Sequence, residues 1–210
     1  MRFAYPVMLD VTDRPVVIVG GGAVAVRKVK TLLEAGATRV VVVSPTFHEQ
    51  MPPEVKRVQE SYDSPHLDGA GLVYAATDST DVNDRVVRDA KSRGLLVNRL
   101  DDGVPPGDFV TPAAWRQGEV VLAVSAGSAA LSVAIRDDLA AQLDDRHVRM
   151  SQVMSGLRPR IRDSGIEPAE RAAIFRELAT EDACDVLKER GERGLYEWLA
   201  QRHPELKLDG

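Results

Sequence analysis

Short apolar runs alternate with helical patterns along the first half of the chain. Apolar residues recur at helical spacing over Val24–Ala35 and Val82–Arg93. The apolar runs around these two stretches lie at Pro15–Gly20, Arg39–Pro45, Gly71–Asp78 and Gly94–Asp101. Strands and helices that alternate at this spacing are typical of a parallel sheet with right-handed crossovers. The pattern therefore predicts an α/β domain.

The second half of the chain has a different pattern. The stretch Asp101–Asp108 is rich in proline and glycine and predicts a loop, and Gly118–Gly127 predicts one more strand. From Ala130 onward the pattern is helical, with a break within Gly165–Pro168. Pro159 makes a continuous helix through its own position doubtful. The sequence thus predicts a mainly helical part after the α/β domain.

Three glycines separate the first predicted strand from the first predicted helix. Gly20, Gly22 and Ala25 fit the spacing G-x-G-x-x-[GA]. In that motif the first position makes a tight turn, the second lets a pyrophosphate approach the backbone, and the third lets helix and strand pack closely. The amides at the helix start then face the anion. The spacing predicts dinucleotide binding; the alternative is that the glycines merely turn a strand into a helix.

The predicted cofactor-binding residues extend from this turn to the end of the second strand. In the turn they are Gly20, Gly21, Gly22, Ala23, Val24 and Ala25. Where an acidic residue would hold the adenosine ribose of NAD, the chain has Ser44 and Pro45. No arginine follows directly to bind the 2′-phosphate of NADP. The spacing alone therefore leaves the choice between NAD and NADP open.

Composition and charge narrow the class of protein. The 210 residues carry 27 lysines and arginines against 32 aspartates and glutamates, which argues against a general nucleic-acid binder. The longest apolar runs are shorter than the roughly 18 residues of a membrane helix, and the opening MRFAYPVMLD lacks the pattern of a secretion signal. Neither the 4 histidines nor the 1 cysteine has metal-site spacing. We expect a cytoplasmic protein without a resident metal, a nucleic-acid partner or a membrane partner.

Three segments resemble the precorrin-2 dehydrogenase family of siroheme synthesis, which includes the amino-terminal module of bifunctional siroheme synthases. They are YPVMLDVTDRPVVIVGGGAVAVRKVKTLLEAGATRVVVVSP, AATDSTDVNDRV and VNRLDDGVPPGDFVTPA. The similarity is close over the first half of the chain and loose beyond it. It implies NAD-dependent oxidation of precorrin-2 to sirohydrochlorin and, in several members, insertion of ferrous iron as well.

The resemblance also implies a homodimer with three regions. It predicts a Rossmann-type NAD-binding domain at residues 1–112, a dimerisation segment at 113–146 and a small all-helical carboxy-terminal domain at 147–210. The bifunctional relatives continue into a uroporphyrinogen methyltransferase, an activity we expect to be absent because the sequence stops at Gly210. The expected partners are tetrapyrroles, ferrous iron as a passing substrate, and a second copy of the chain.

The family pattern places an essential aspartate at the end of an N-x-x-D run, which here is Asn98–Asp101. A carboxylate at the carboxyl edge of a strand faces the crevice in which such sheets bind ligands. Asp101 is therefore predicted to be the catalytic base, which accepts a proton during oxidation or pyrrole protons during metal insertion. The alternative is that Asp101 and Asp102 simply start a solvated loop.

The resemblance carries further cofactor contacts over to this sequence. Thr77 and Asp78, in the segment AATD, are predicted to hydrogen-bond the adenine side of the cofactor. Asp78 would serve equally well as a helix N-cap. Asn98 would either orient the nicotinamide amide or cap the end of its strand.

One segment departs from the family pattern. Where many relatives have S-[ST]-G-G-x-S-P after the last strand, this chain has SAGSAAL at Ser125–Leu131. Small residues are kept, so a helix start near Ala130 is still predicted to hold substrate carboxylates. The loss of a hydroxyl at Ala126 weighs more against iron insertion than against oxidation. The predicted substrate-binding residues are Arg99, Ser125, Gly127, Ser128 and Arg136, the arginines because precorrin-2 carries many carboxylates.

Two other functions remain open. A non-catalytic redox sensor or regulatory dimer would bind the dinucleotide but no tetrapyrrole, as the altered SAGSAAL segment suggests. A chelatase without dehydrogenase activity would insert metal without NAD, which the glycine turn disfavours. Titration with a tetrapyrrole distinguishes a redox sensor or regulatory dimer from a dehydrogenase. Metal insertion without NAD identifies a chelatase.

Overall fold

The structure, a computed structural model, describes residues 5–101 and 107–206. The chain divides into two compact units, residues 1–111 and 112–210. The predicted boundary after residue 112 falls beside this division, whereas the predicted boundary after residue 146 lies inside the helix Asp145–Asp163. The assignment of the three predicted regions to separate functions stays a prediction. Within the described ranges, every helix is too short or too polar to span a bilayer.

A five-stranded parallel sheet forms the centre of the first unit. Its strands are β1 (Val16–Val19), β2 (Val40–Val43), β3 (Lys56–Val58), β4 (Leu72–Ala75) and β5 (Val97–Arg99). They lie in the order β3-β2-β1-β4-β5, so the chain moves from β1 first to one side and later to the other. Sheets of this kind bind ligands in a crevice at the carboxyl ends of the strands, where the order reverses. The predicted Rossmann-type fold is confirmed.

Two helices cover the sheet because side chains along β1 alternate between its faces. Val16 and Ile18 are buried in one core cluster with residues of α1 (Ala23–Glu34). The other two residues of β1 are buried in a second cluster with residues of α2 (Thr80–Ser92). Both helices are present where their apolar spacing predicts them.

The apolar pattern misses two strands. β3 reads Lys-Arg-Val, lies at the edge of the sheet and exposes its first two residues. Its backbone pairing with β2, rather than an apolar run, makes it a strand. The other is β6 (Ala113–Gln117), which pairs with β7 (Val120–Val124) in an antiparallel hairpin. β7 is the strand predicted within Gly118–Gly127.

The second unit combines this hairpin with four helices. α3 (Ala129–Gln142) packs on the hairpin. The remaining helices pack with one another and are α4 (Asp145–Asp163), α5 (Pro168–Leu178) and α6 (Glu181–Arg202). Fully buried leucine and isoleucine side chains from all three helices form their shared core.

The break predicted within Gly165–Pro168 separates α4 from α5. The interruption predicted at Pro159 is wrong, because α4 runs through that residue. A proline inside a helix removes one backbone hydrogen bond and costs roughly 3 kcal/mol. Leu157 and Ile161, on either side, are both fully buried in the core, and their burial offsets this cost.

Candidate functional site

The three glycines form the turn between β1 and α1, at the carboxyl edge of the sheet. Gly20 has a φ of +122°, and a Cβ there would lie 2.3 Å from the carbonyl oxygen of Ala76, just beyond β4. Only glycine permits this conformation together with this close approach. A Cβ on Gly22 would meet no atom within 4 Å. The turn is therefore closed on the side of β4 and open in front of the helix.

The start of α1 fits the phosphate groups of a dinucleotide. Gly22 is the N-cap of α1 and makes no side-chain hydrogen bond to the first turn. Gly22, Ala23 and Val24 are exposed, so an anion can reach the amides at this positive end of the helix dipole. Gly20, Gly21 and Ala25 are buried and shape the turn from behind. The geometry fits the predicted cofactor contacts, which stay predictions.

The loop that follows β2 is fastened to this turn. A Cβ on Gly21 would lie 2.1 Å from the carbonyl oxygen of Thr46 and 2.8 Å from the hydroxyl oxygen of Ser44. The amide of His48 donates a hydrogen bond to the carbonyl oxygen of Gly21 at 2.8 Å. Ser44 is buried and Pro45 is exposed. The two residues predicted to lie near the adenosine ribose therefore lie beside the glycine turn.

At the end of β4, Thr77 is held by a buried asparagine. The Asn83 side chain is fully buried, and its carbonyl oxygen accepts hydrogen bonds from the Thr77 amide at 3.1 Å and the Thr77 hydroxyl at 2.8 Å. Its amino group donates to the Thr77 carbonyl oxygen at 3.0 Å. Asp78 is exposed, and the N-cap of α2 is Ser79. The alternative role of Asp78 as that cap is therefore wrong.

Asn98, in the middle of β5, fastens the segment that follows residues 102–106. Its buried side chain donates a hydrogen bond to the carbonyl oxygen of Phe109 at 2.9 Å. The amide of Asp108 donates to the Val97 carbonyl oxygen at 2.7 Å. These contacts favour a structural role for Asn98 over the predicted nicotinamide contact. Most of the predicted loop at Asp101–Asp108 lies outside the described residues.

An arginine joins two carboxylates at the end of β5. Nε and Nη2 of Arg99 bind the two oxygens of the Asp101 carboxylate, the second at 3.0 Å. Nη1 of Arg99 binds the carboxylate of Asp84, in the second turn of α2. The Arg99 side chain is 1% exposed, whereas the side chains of Asp84 and Asp101 are 24% and 28% exposed. We call these three side chains the charge bridge.

The charge bridge sets the protonation of Asp101. The hydrogen bonds from Arg99 hold the pKa of the Asp101 carboxyl below its usual range, and a weaker contribution from the Asn83 side chain acts in the same direction. Partial burial opposes both effects. The carboxylate is therefore ionised at neutral pH. The same hydrogen bonds raise the pKa of Arg99, which stays cationic.

The predicted role of Arg99 as a substrate ligand is not supported by this geometry. Its guanidinium group is almost fully buried and its forked face is occupied by Asp101, so a carboxylate of a large macrocycle has no access to it. This geometry disfavours the predicted contact of Arg99 with substrate, which stays a prediction.

The other predicted substrate-binding residues lie in the second unit. Ser128 is the N-cap of α3, and its hydroxyl accepts a hydrogen bond from the Leu131 amide at 3.2 Å. Ser125 and Gly127 are exposed. Arg136 forms an ion pair with Asp137 at 2.6 Å. Ser125, Gly127 and Ser128 lie just before α3, and Arg136 lies in the middle of this helix. Their contact with substrate stays a prediction.

Asn83 and Asp84 are the site residues that the sequence reasoning missed. Both belong to AATDSTDVNDRV, one of the three segments that carry the family resemblance. An asparagine in a helix interior has low helix propensity, and its complete burial requires hydrogen-bond partners. The sequence shows the asparagine in a helical pattern, but its burial and its partner Thr77, which follows another strand, are known only from the fold.

Together these features describe a crevice with an anion-binding helix start and an ionised carboxylate on one sheet edge. Gly20 packs against Ala76 and Thr77 is hydrogen-bonded to Asn83, whose side chain also contributes to the lowered pKa of Asp101. Such a site can hold a dinucleotide and place a proton acceptor near its rim. Within residues 5–101 and 107–206, no group of three or more His, Cys, Asp or Glu side chains is arranged to hold a metal ion.

Comparison with known proteins identifies the class of cofactor. The family model described as "Putative NAD(P)-binding" matches residues 7–113. A siroheme synthase of Aeromonas salmonicida is 30% identical over 202 residues, which cover 93% of this chain and 43% of that protein. A siroheme synthase of Photobacterium profundum is 36% identical over 163 residues, 74% of this chain and 34% of that protein. The chain thus spans less than half the length of these relatives.

A solved structure supports the fold. The protein named "SirC, precorrin-2 dehydrogenase" superposes with a TM-score of 0.76 over 94% of this chain and 100% of that one, at 24% sequence identity. The resemblance stated from the sequence is confirmed. The predicted cofactor class, a nicotinamide dinucleotide, is confirmed as well.

Proposed function

Because the chain belongs to the NAD(P)-binding family and is related to the siroheme synthases, we propose that it is an NAD-dependent dehydrogenase that oxidises precorrin-2 to sirohydrochlorin. One observation carries the proposal. The ionised carboxylate of Asp101 follows β5 at the same sheet edge as the open helix start at Gly22. A hydride acceptor and a proton acceptor can therefore face one substrate.

The reaction removes one hydride and one proton from precorrin-2, and NAD⁺ becomes NADH. When bound, the nicotinamide ring supplies the hydride-accepting chemistry. Loss of the hydride leaves the macrocycle positively charged, which makes its N–H groups strongly acidic. Asp101 stabilises that charge electrostatically and accepts the released proton, so a carboxylate with a low pKa is a sufficient base. Its 28% exposure lets it pass the proton on to water.

NAD rather than NADP is the proposed cofactor. NADP-specific sites offer a cation to the 2′-phosphate at the end of the second strand. Here Ser44 is followed by Pro45 and Thr46. Nη2 of the nearby Arg57 donates hydrogen bonds to the carbonyl oxygens of Met51 and Pro52, at 2.6 and 3.3 Å, which directs this nitrogen to the backbone. Titration with each dinucleotide tests this assignment, and tighter binding of NADP would reverse it.

The function is tested by anaerobic incubation of the protein with NAD⁺ and enzymatically generated precorrin-2. We expect NADH to form in step with the spectrum of sirohydrochlorin. Asp101→Asn should bind NAD⁺ normally but lose turnover by about 100-fold or more. Asp68→Asn is the matched control, because this carboxylate pairs with Arg93 instead. Binding of NAD⁺ without binding of the tetrapyrrole would favour the redox-sensor alternative.

A homodimer is also part of the proposal. α3 buries only Ser132 within the described chain. Leu131, Ile135 and Leu139 follow one another at four-residue spacing and are 51%, 36% and 43% exposed. Residues at this spacing share one helix face. An exposed apolar face of this kind is typical of a protein interface, and a second copy of the chain offers a matching face by symmetry.

A further inference from the structure

Arg99 is buried at a place where a buried charge needs an explanation. Its guanidinium is 1% exposed and lies between two carboxylates that are themselves only about one quarter exposed. A buried ion pair is weak evidence for stability, because the loss of hydration offsets most of the attraction between the charges. An apolar residue on β5 would pack there without that cost. The charge bridge therefore calls for a reason other than stability.

The geometry of the bridge restricts the Asp101 carboxylate. A fork of two N–H groups, Nε and Nη2, binds both carboxylate oxygens and so fixes the plane of the carboxylate as well as its position. The third arm of the guanidinium, Nη1, binds Asp84, which lies on α2 rather than on β5. The guanidinium of Arg99 thus contacts Asp101, which follows β5, on one side and Asp84, on α2, on the other.

We propose that Arg99 and Asp84 are positioning residues for Asp101: Arg99 orients the carboxylate for proton transfer, and Asp84 anchors Arg99 to α2. The proposal deepens the function proposed above and rests on the role of Asp101 in it. Lysine could not replace Arg99, because an ammonium group has no planar fork.

Asn83 connects the bridge to the rim of the crevice. Its side chain contributes to the lowered pKa of the Asp101 carboxyl, which places it close to that carboxylate, and it also clamps the backbone of Thr77 at the end of β4. Ala76, the residue before Thr77, is the one against which Gly20 packs. The orientation of Asp101 is therefore fixed relative to the glycine turn, as a base that must meet a bound cofactor and substrate requires.

The bridge predicts opposite electrostatic effects for its two supporting residues. In the described part of the chain, the charged groups of the bridge that face Asp101 are Arg99 from β5 and, across the guanidinium, Asp84 from α2. Removal of the Arg99 charge leaves two carboxylates together and should raise the pKa of Asp101. Removal of the Asp84 charge takes one competing carboxylate away from Arg99 and should lower that pKa further. A bridge that serves only to hold the fold together would give the same titration shifts but an unchanged kcat in a folded variant.

The experiment compares Arg99→Gln, Asp84→Asn and the double variant with the wild-type protein. The double variant removes both charges and keeps hydrogen-bonding groups. It leaves Asp101 as the one charge of the bridge and so avoids two facing carboxylates if Arg99→Gln alone fails to fold. Arg99→Lys tests the fork. The matched control is Arg93→Gln, which breaks the ion pair with Asp68 on the same unit. Each protein is assayed for kcat and KM, and the carboxyl ¹³C signal of Asp101, assigned by its loss in Asp101→Asn, is titrated with pH.

We expect kcat to fall by about 10- to 100-fold in Arg99→Gln, Arg99→Lys and the double variant, with KM for the dinucleotide within about twofold. Asp84→Asn should lose less, about tenfold at most. The Asp101 titration should move up in Arg99→Gln and down in Asp84→Asn. The control should match the wild-type protein in kcat and in titration.

Two results would overturn the proposal. One is a folded double variant with wild-type kcat, and the other is an Asp101 titration that does not respond to either single substitution. Failure of the proposed function is a separate outcome, because wild-type protein would then show no oxidation of precorrin-2. In that case the carboxyl titration still tests the contact of Arg99 and Asp84 with Asp101, independently of the reaction.

Discussion

The crevice of the first unit and helix α3 of the second unit use their side chains in opposite ways. Around the crevice, Thr77, Asn83 and Arg99 each make several hydrogen bonds within one copy of the chain. On α3, one residue is buried and the apolar side chains of Leu131 and Ile135 are exposed. The polar groups of the first region are hydrogen-bonded within one copy, whereas the apolar side chains of the second region stay exposed in it.

This difference shows how the two kinds of binding place different demands on a fold. A small ligand needs polar groups that are fixed before it arrives, and buried polar groups stay fixed only when they are fully hydrogen-bonded. An association between copies needs apolar area that the unit itself does not cover. Substitutions in the two regions should therefore fail in different ways, and the predictions below follow from that contrast.

The largest effect is expected for Gly20→Ala. A Cβ at this position would lie 2.3 Å from the Ala76 carbonyl oxygen, and the φ of +122° is strained for any L side chain. We expect a loss of about 2 to 5 kcal/mol in the free energy of unfolding, measured by urea denaturation. Gly36→Ala is the control for a positive φ without the clash, since its nearest neighbour is a side-chain atom 3.7 Å away. Equal losses in the two variants would contradict the role given to the close approach.

The next effect concerns the second region alone. Leu131→Glu combined with Ile135→Glu places two charges on the exposed face of α3. If this face joins two copies, the dissociation constant should rise by more than about 100-fold, because unpaired charges would be buried. Sedimentation velocity measures the change, with Gln142→Glu at the end of α3 as the control. Affinity for NAD⁺ should stay unchanged, and a dimer that persists in the double variant would exclude this face as the interface.

The sequence predicts the frame of the first unit well because its strands and helices are set by local apolar patterns. β1 is a run of four buried residues, and α1 repeats its buried residues at helical spacing. The glycine turn is readable for the same reason, since its motif is contiguous in the chain. The apolar pattern does not predict β3, because this segment is a strand through its backbone pairing with β2 rather than through its own side chains.

The electrostatics of the site were harder to predict because they depend on contacts between distant residues. Arg99 and Asp101 are two residues apart and suggest separate roles in the sequence, one for the substrate and one for the proton. In the fold they form one unit with Asp84, fifteen residues earlier. The local sequence pattern therefore identifies the carboxylate of Asp101. It does not show the ion pairs of Arg99 with Asp84 and Asp101, which engage this arginine inside the fold.

A smaller effect distinguishes the shape of the crevice from its stability. The backbone at Gly22 is extended, a conformation that any residue can adopt, and the Cβ that Gly22→Ala adds would enter open space. The free energy of unfolding should change little, but the methyl group would occupy the path of the pyrophosphate. We expect a loss of about 1 to 3 kcal/mol in binding, roughly 5- to 150-fold in the dissociation constant for NAD⁺. Calorimetric titration measures the dissociation constant. An unchanged affinity for NAD⁺ would show that the diphosphate does not bind at this turn.

The smallest effect is the dependence of stability on pH that the charge bridge produces. The pKa of Asp101 is lowered in the folded protein, mainly by the hydrogen bonds from Arg99, relative to an unfolded value of about 3.9. The folded state therefore gains stability from this group above the unfolded pKa and loses it as the pH falls through the lower, folded pKa. Urea denaturation of wild-type protein and Asp101→Asn between about pH 7 and pH 3 should show a difference in the free energy of unfolding that is constant down to about pH 5 and shrinks below it. A difference in the free energy of unfolding that stays constant over the whole pH range would mean that Arg99 does not stabilise the ionised carboxylate of Asp101. The contrast between the hydrogen-bonded crevice and the exposed face of α3 would then hold for packing but not for electrostatics.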